Sequence, residues 1–306
     1  MHFRNSIYTL LACCSIVLFW QCKTSQKAFL QPATDSNSLL WQISGKGISQ
    51  PSFLYGTIHL IDEKDYFLYP PTQKAFDACK QIAFEIDMNE MSDMSMLTGM
   101  MTGMMMNGDT TLKDLLTTDE YMQVDSFFNT MGVPLMFLQR MKPMLLSMMT
   151  DIDPSMMMGG ETGGTKSYEL ELMEKAKSKK MKTYGLETAA FQLRLFDSIP
   201  YKAQAQMLMK SIRGENKESD LEYVVKLYKT QNIEAMVSVM QNESDIAEYE
   251  HLLLTNRNRN WIPKIEQLIS EQATFIAVGA GHLGGADGVI SLLRKQGYVV
   301  TPIKNK

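Results

Sequence analysis

Cysteine is scarce in this chain, with four in 306 residues. Cys13 and Cys14 lie in an apolar leader, Cys22 closes it, and Cys79 is the thiol left in the body of the sequence. An internal disulfide is therefore not expected, and packing of a core must stabilise the fold. Cys79 reads as a small buried helix residue, because no neighbouring motif would activate it as a nucleophile. Other signatures are missing as well. Without HExxH the common zinc-protease helix is excluded, and no Ser-centred nucleophile elbow occurs. GGADG at 284–288 has the glycines of a phosphate loop but not its Lys and Ser/Thr, so it reads as a turn into the final helix. Charge of one sign is also lacking. A net charge of −4 is too mild for a nucleic-acid groove, and KAKSKK at 175–180 reads as a solvated helix end.

The leader is the first positive feature. Arg4 precedes a continuous apolar run from Ile7 to Trp20, shorter than the roughly 20 residues of a spanning helix. This is the layout of a signal peptide. Cys22 ends the run, which suggests a bacterial lipoprotein signal over 1–22 with Cys22 lipidated, although Phe19-Trp20-Gln21 is bulkier than usual before such a cysteine. An ordinary signal peptide or an uncleaved anchor is the other reading. A polar linker follows over 23–38. The implied location is a bacterial cell envelope, with the protein lipid-anchored at the outer membrane or facing the periplasm.

With a hydrophobic fraction of 45%, residues 39–306 can bury a substantial core, and they read as a single domain. Leu39–Ser44 and Pro51–Ile58 form two short strands joined by the turn GKGISQ. A helix over Pro71–Lys80 leads to a strand over Gln81–Asp87. The stretch from Thr118 to Arg213 is mainly helical, interrupted by a strand at Lys182–Leu186, with 151–167 as a surface loop. Glu218–Gln272 is helical again. The end returns to strand Thr274–Val278, helix Asp287–Gln296 and strand Tyr298–Ile303, with Gly297 ending the helix. The predicted class is α/β (α+β), with a central mixed sheet built from N- and C-terminal strands around a large helical middle region.

Two segments share one frame. Phe53–Leu60 and Ile276–Leu283 each run from an apolar strand into Gly-x-x-His-Leu. A glycine at a strand end permits a sharp turn and close backbone approach, so Gly56 and Gly279 can present His59 and His282 beyond the sheet. Only His251, in a helical stretch, accompanies them after the leader. Imidazole suits both metal ligation and proton transfer near neutral pH. Glu85 lies inside the apolar strand IAFEI, where a charge is costly unless paired or bound to a cation. Glu187 follows YGL at another strand end. Two His with one or two Glu make an open site for a divalent metal that activates water. The alternative is that Glu85 pairs with a buried cation such as Arg257, with the histidines merely capping strands.

GTIHL at 56–60, FEID at 84–87, YGLET at 184–188 followed by Gln192, RNRNW at 257–261 and VGAGHLGG at 278–285 resemble the TraB/GumN family, which includes the TIKI proteins. These pieces span roughly 39–303 in matching order. TIKI proteins are described as metal-dependent proteases that trim the amino terminus of Wnt ligands. The resemblance implies a TIKI-like fold and a metal site at His59, Glu85 and His282, with Glu187, Gln192 and Arg257 lining the cleft. The family is also related to erythromycin esterases and a haem-binding protein, so resemblance speaks to fold and site more than to reaction.

The expected function is a metal-dependent hydrolase, peptidase-like, acting on a peptide or small-molecule substrate with a divalent ion (Mn, Co or Zn). Glu187 or Glu85 would take a proton from the bound water, and Arg257 would stabilise the oxyanion. The alternative is a non-catalytic envelope protein using the same cleft for a ligand, metal or haem. Twelve of the 26 methionines crowd 88–106 and 156–158. Thioethers select copper(I), but a flexible apolar helix serving as a lid is the better account of them.

Overall fold

The computed structural model describes residues 37–86, 94–150, 164–215, 218–242 and 247–304. The leader with Cys22, methionines 88 and 91, and most of the 151–167 loop lie outside them. The chain opens with strands β1 (Leu40–Ser44), β2 (Ser52–Thr57) and β3 (Ile61–Asp62), helix α1 (Pro70–Ala78) and β4 (Gln81–Ile86). Helices α2 (Met94–Met104), α3 (Leu112–Leu115), α4 (Thr118–Thr130) and α5 (Pro143–Met149) precede β5 (Thr165–Lys166), α6 (Tyr168–Ser178) and β6 (Lys182–Glu187). Then come α7 (Ala189–Leu195), α8 (Tyr201–Ile212), α9 (Glu218–Lys229), α10 (Ile233–Asn242) and α11 (Asn256–Glu271). The end is β7 (Thr274–Gly279), α12 (Val289–Lys295) and β8 (Val299–Pro302). Among the described residues no helix is long and apolar enough to cross a membrane.

The described residues divide into two compact units. One takes 90–164 and 189–218, and the other takes 21–89, 165–188 and 219–306. The second holds both sheets. Its six-stranded sheet has the order β6-β4-β7-β2-β1-β8. β6, β4, β7 and β2 run parallel, while β1 is antiparallel to both β2 and β8. The first and last strands thus share one sheet, as the apolar runs near the two ends implied, and the fold is mixed α/β. The turn GKGISQ joins β1 to β2, with left-handed backbone at Gly45, Lys46 and Gly47. β2, β4 and β7 are buried along their whole length, the pattern of central parallel strands covered on both faces. Trp261, Ile262, Ile265, Leu268 and Ile269 make the apolar stripe of α11.

The other unit is helical. α4 begins at a capping box in which Thr117 accepts from the Glu120 backbone and Glu120 reaches back. Methionine-rich α2 packs through its glycines: a Cβ at Gly103 would lie 3.1 Å from Leu193 Cβ, and one at Gly99 would lie 3.9 Å from Ala190 Cβ, both on α7. Met100 and Met106 are buried while Met101 is exposed. Lys142 is completely buried there, and its ammonium meets Asp197 at 2.7 Å and the Leu193 carbonyl at 2.8 Å.

Candidate functional site

Parallel strands deliver their carboxyl ends to one edge of a sheet, where α/β proteins place their ligands. Here that edge gathers the candidate residues. β2 pairs with β7 so that Gly56 faces Val278 and Thr57 faces Gly279. The two Gly-x-x-His turns therefore leave the sheet side by side, one residue out of step. β4 on the other side of β7 supplies Glu85, and β6 beyond it ends at Glu187. A Cβ at Gly279 would lie 3.3 Å from Glu85 Oε1, 3.6 Å from His59 Nε2 and 3.6 Å from His282 Cδ2. That glycine is the point about which the three side chains gather. Gly56 serves the packing of the turns instead. A Cβ there would lie 2.7 Å from Leu283 Cδ1 and 3.1 Å from Ala280 Cα, so its absence lets the second turn rest on bare backbone.

α11 brings the cation. Its buried face opens with Arg257 and Asn258 before the apolar stripe starts at Trp261. Arg257 uses all five of its N–H groups. Nε donates to Glu187 Oε1 at 2.9 Å, and Nη2 donates to Glu85 Oε2 and Glu187 Oε1, both at 2.6 Å. Nη1 donates to the Leu253 carbonyl at 2.9 Å, in the π-helical turn His251–Thr255, and meets His282 Nε2 at 3.2 Å. Trp261 Nε1 donates to the second Glu187 oxygen at 2.9 Å. The pairing of Glu85 with Arg257, the alternative to a metal site, is present, and it extends to Glu187.

Two expected roles are therefore redirected. With every N–H of Arg257 engaged, the guanidinium acts as the clamp between two strand ends, in place of the expected oxyanion donor. Glu187, held by Arg257 and Trp261, is an anchor for that clamp and not a proton acceptor poised for water.

The histidines differ. His282 Nδ1 meets Asn258 Oδ1 at 2.6 Å, so this nitrogen carries the proton and Nε2 offers its lone pair to Arg257. Burial, helped by the nearby positive charges of Arg257 and His59, pushes the pKa of His282 down to about 3, and the ring is neutral. His59 Nδ1 lies 3.0 Å from Glu169 Oε1. Burial alone would lower the His59 pKa, but Glu169 and Glu85 outweigh it and raise the value. His59 Nε2 is buried without a hydrogen-bond partner. Glu85 accepts from the Gly279 backbone at 2.8 Å, and its Oε1 stands 3.7 Å from His282 Nε2. Burial raises its pKa, yet Arg257 and the two imidazoles dominate and bring it down to about 2.

Sequence reasoning missed Glu169 and Asn258. Glu169 stands in the first turn of α6, and accepts from Thr57 Oγ1 at 2.6 Å and Ser167 Oγ at 3.1 Å. The short ribbon β3–β5, pairing Ile61 with Lys166, ties the chain after His59 to the chain before Ser167. The available signal was Ser-x-Glu at a helix start, common to many solvent-facing helices. Gln192, expected in the cleft, sits buried on α7 in the helical unit. His251 is exposed, and the Cys79 thiol is buried, with its pKa pushed up to about 12 by that burial.

Whether these residues suit a metal ion depends on the donor set. Two imidazoles and a carboxylate form a usual set for a catalytic divalent ion, and the buried His59 Nε2, which has no hydrogen-bond partner, is a donor atom of the kind such a set uses. In the arrangement described, Arg257 engages His282 Nε2. Among the described residues no group of three or more His, Cys, Asp or Glu is drawn into coordinating geometry. The residue types fit, and the closing contact is the one between Arg257 and His282.

Comparison with known proteins gives two relatives among others. The chain is 22% identical over 326 aligned positions to the protein named Metalloprotease TIKI1 of Danio rerio, covering 88% of this chain and 64% of the relative. It is 21% identical over 332 positions to Metalloprotease TIKI2 of the same organism, covering 87% and 61%. The chain thus spans less than two thirds of the length of these relatives. No solved structure matches it. The family model that matches covers residues 39–302, both units together, and the chain belongs to the TraB/PrgY/gumN family.

Proposed function

We propose that the protein is a metal-dependent hydrolase of peptidase type, held at a bacterial cell envelope through a lipid on Cys22. The supporting observation is His59 Nε2, a buried nitrogen without a hydrogen-bond partner, gathered with Glu85 and His282 about Gly279. The names of the relatives, both metalloproteases, point the same way, and the envelope location rests on the leader sequence alone. His59, Glu85 and His282 would hold the ion, with manganese, cobalt and zinc all compatible with an N,N,O set. A divalent ion there would supply a Lewis acid and a water acidic enough to ionise near neutral pH.

The protein's own part is to keep these donors ready. Glu85 stays ionised at any physiological pH, since Arg257 lies against it. His282 stays neutral with its Nδ1 proton directed at Asn258. Three carboxylates, Glu85, Glu169 and Glu187, converge with a single guanidinium and two imidazoles. That balance favours uptake of a further positive charge.

The test is metal analysis of full-length protein purified without chelators, with turnover measured on a mixed peptide library. One equivalent of metal and peptide cleavage lost in His59→Ala and His282→Ala, with folding retained, is the expected result. Undiminished cleavage in either variant would refute the assignment. A second reading, a non-catalytic ligand-binding protein, is favoured by the Arg257 contact to His282 Nε2. Stoichiometric metal or ligand uptake without hydrolysis of any peptide or ester would select it.

A further inference from the structure

The contacts of Glu169 carry an inference that rests on the metal-binding reading and deepens it. We propose that Glu169 is the positioning residue for His59, fixing the tautomer and direction of its ring so that Nε2 is presented to the centre as a ligand. The carboxylate stands 3.0 Å from His59 Nδ1, and at that distance the shared proton must lie between them, on Nδ1 when the ring is neutral. The lone pair is then on Nε2, the atom that faces Gly279 with no partner. A ring flipped by half a turn would aim a carbon at Glu169 and forfeit the contact.

Glu169 is itself held from two directions. Thr57 Oγ1 donates to its Oε1 at 2.6 Å, and Ser167 Oγ to its Oε2 at 3.1 Å. Thr57 is the last residue of β2, two before His59, so strand end, histidine and carboxylate form one closed loop of contacts. The β3–β5 ribbon closes the same loop through the backbone, pairing Ile61 with Lys166 and Asp62 with Thr165. Glu169 also occupies the first turn of α6, where the amide dipoles favour an anion. Each feature suits a carboxylate that orients a ligating imidazole. A surface-facing acidic residue of a helix start needs none of them.

Full-length protein, Glu169→Gln, His59→Ala and the double variant would be titrated with cobalt(II) and zinc(II) alone, using a competing chromogenic chelator. Thermal unfolding of the metal-free forms would run in parallel. Glutamine keeps the size but can accept from or donate to Nδ1, so it releases the tautomer. The expected result is a 10- to 100-fold weaker Kd for Glu169→Gln, an altered cobalt d–d spectrum and a metal-free protein that still unfolds cooperatively, with a Tm no lower than that of His59→Ala. The double variant should bind no more weakly than His59→Ala, because Glu169 acts through that ring. Thr57→Val, which removes one support and leaves the charge, should give a smaller loss and serves if the glutamine variant fails to fold. Unchanged affinity in these variants, or a loss that adds to that of His59→Ala, overturns the positioning role. A folded parent protein that takes up neither ion removes the metal reading itself, and the inference with it.

Discussion

Removing the guanidinium of Arg257 should be the most damaging single change in the sheet unit. In Arg257→Met the chain keeps its bulk but loses five hydrogen bonds. Two carboxylates, Glu85 and Glu187, each with side chains only 7% exposed, then lose the charge they share. Breaking a buried pair by deleting one partner costs about 3–5 kcal/mol, because the surviving charge stays desolvated. For a unit of this size that corresponds to a Tm lower by roughly 6–20 °C. Lysine should recover only part of the loss, since a point charge cannot span Glu85, Glu187 and His282 as the planar fork does. Urea unfolding is the assay, followed through Trp261, whose ring lies 5.0 Å from the Arg257 guanidinium carbon. The deficit should shrink as the pH falls, because Glu85, held at a low pKa by Arg257, takes up its proton more readily without the guanidinium and so sheds the unbalanced charge. A deficit below about 1 kcal/mol at neutral pH, or one independent of pH, would refute the clamp.

Three further outcomes follow from the same contacts. Stability of the metal-free protein should peak near the ordinary histidine pKa of 6.5. His282, lowered to about 3, costs stability as the pH falls from 6.5 towards 3, because only the unfolded chain takes up its proton there. His59, raised by Glu169, contributes fully below 6.5 and loses that contribution as the pH rises through its folded value. Glu85 adds an acid limb between 4.5 and about 2, and denaturant curves from pH 3 to 9 would expose a flat profile if these assignments are wrong. Gly56→Ala should lower the Tm and disturb the second motif, since the new carbon would lie 2.7 Å from Leu283 Cδ1. A parent-like melting curve and unshifted His282 NMR signals would contradict it. In the helical unit, Thr117→Ala removes the capping box of α4 and should cost about 1 kcal/mol in denaturant unfolding, a loss that Thr117→Ser restores.

How much of this was readable beforehand depended on the kind of signal. The β1–β2 hairpin was legible because apolar runs flank a glycine turn, and β7, α12 and β8 because strand and helix alternate with Gly297 as the stop. Gly56-x-x-His59 and Gly279-x-x-His282 were legible as a repeat, and the parallel pairing of β2 with β7 is why a repeat in sequence becomes a neighbourhood in space. A charge inside an apolar strand, as at Glu85, demands a partner on energetic grounds alone, and Arg257 was the partner named in the alternative to a metal ion. What that reasoning could not supply was stoichiometry: one guanidinium divided among Glu85, Glu187 and His282 depends on the crossing of α11 over the strand ends. Glu169 was invisible for another reason. Its residue type is ordinary at a helix start, and only the two-residue ribbon at 61–62 and 165–166 gives it a histidine to face. The partition into a sheet unit and a helical unit was equally hidden, because the helices of 94–150 and 189–215 carry the same apolar periodicity as those that flank the sheet.

The bare backbone at Gly56 has a mechanical consequence. The turn that carries His282 rests its Leu283 and Ala280 side chains directly on the backbone of the strand that leads to His59. Any side chain at position 56 would have to push Leu283 and Ala280 off the strand, so the spacing of the two motifs along the β2–β7 seam is set by one missing carbon.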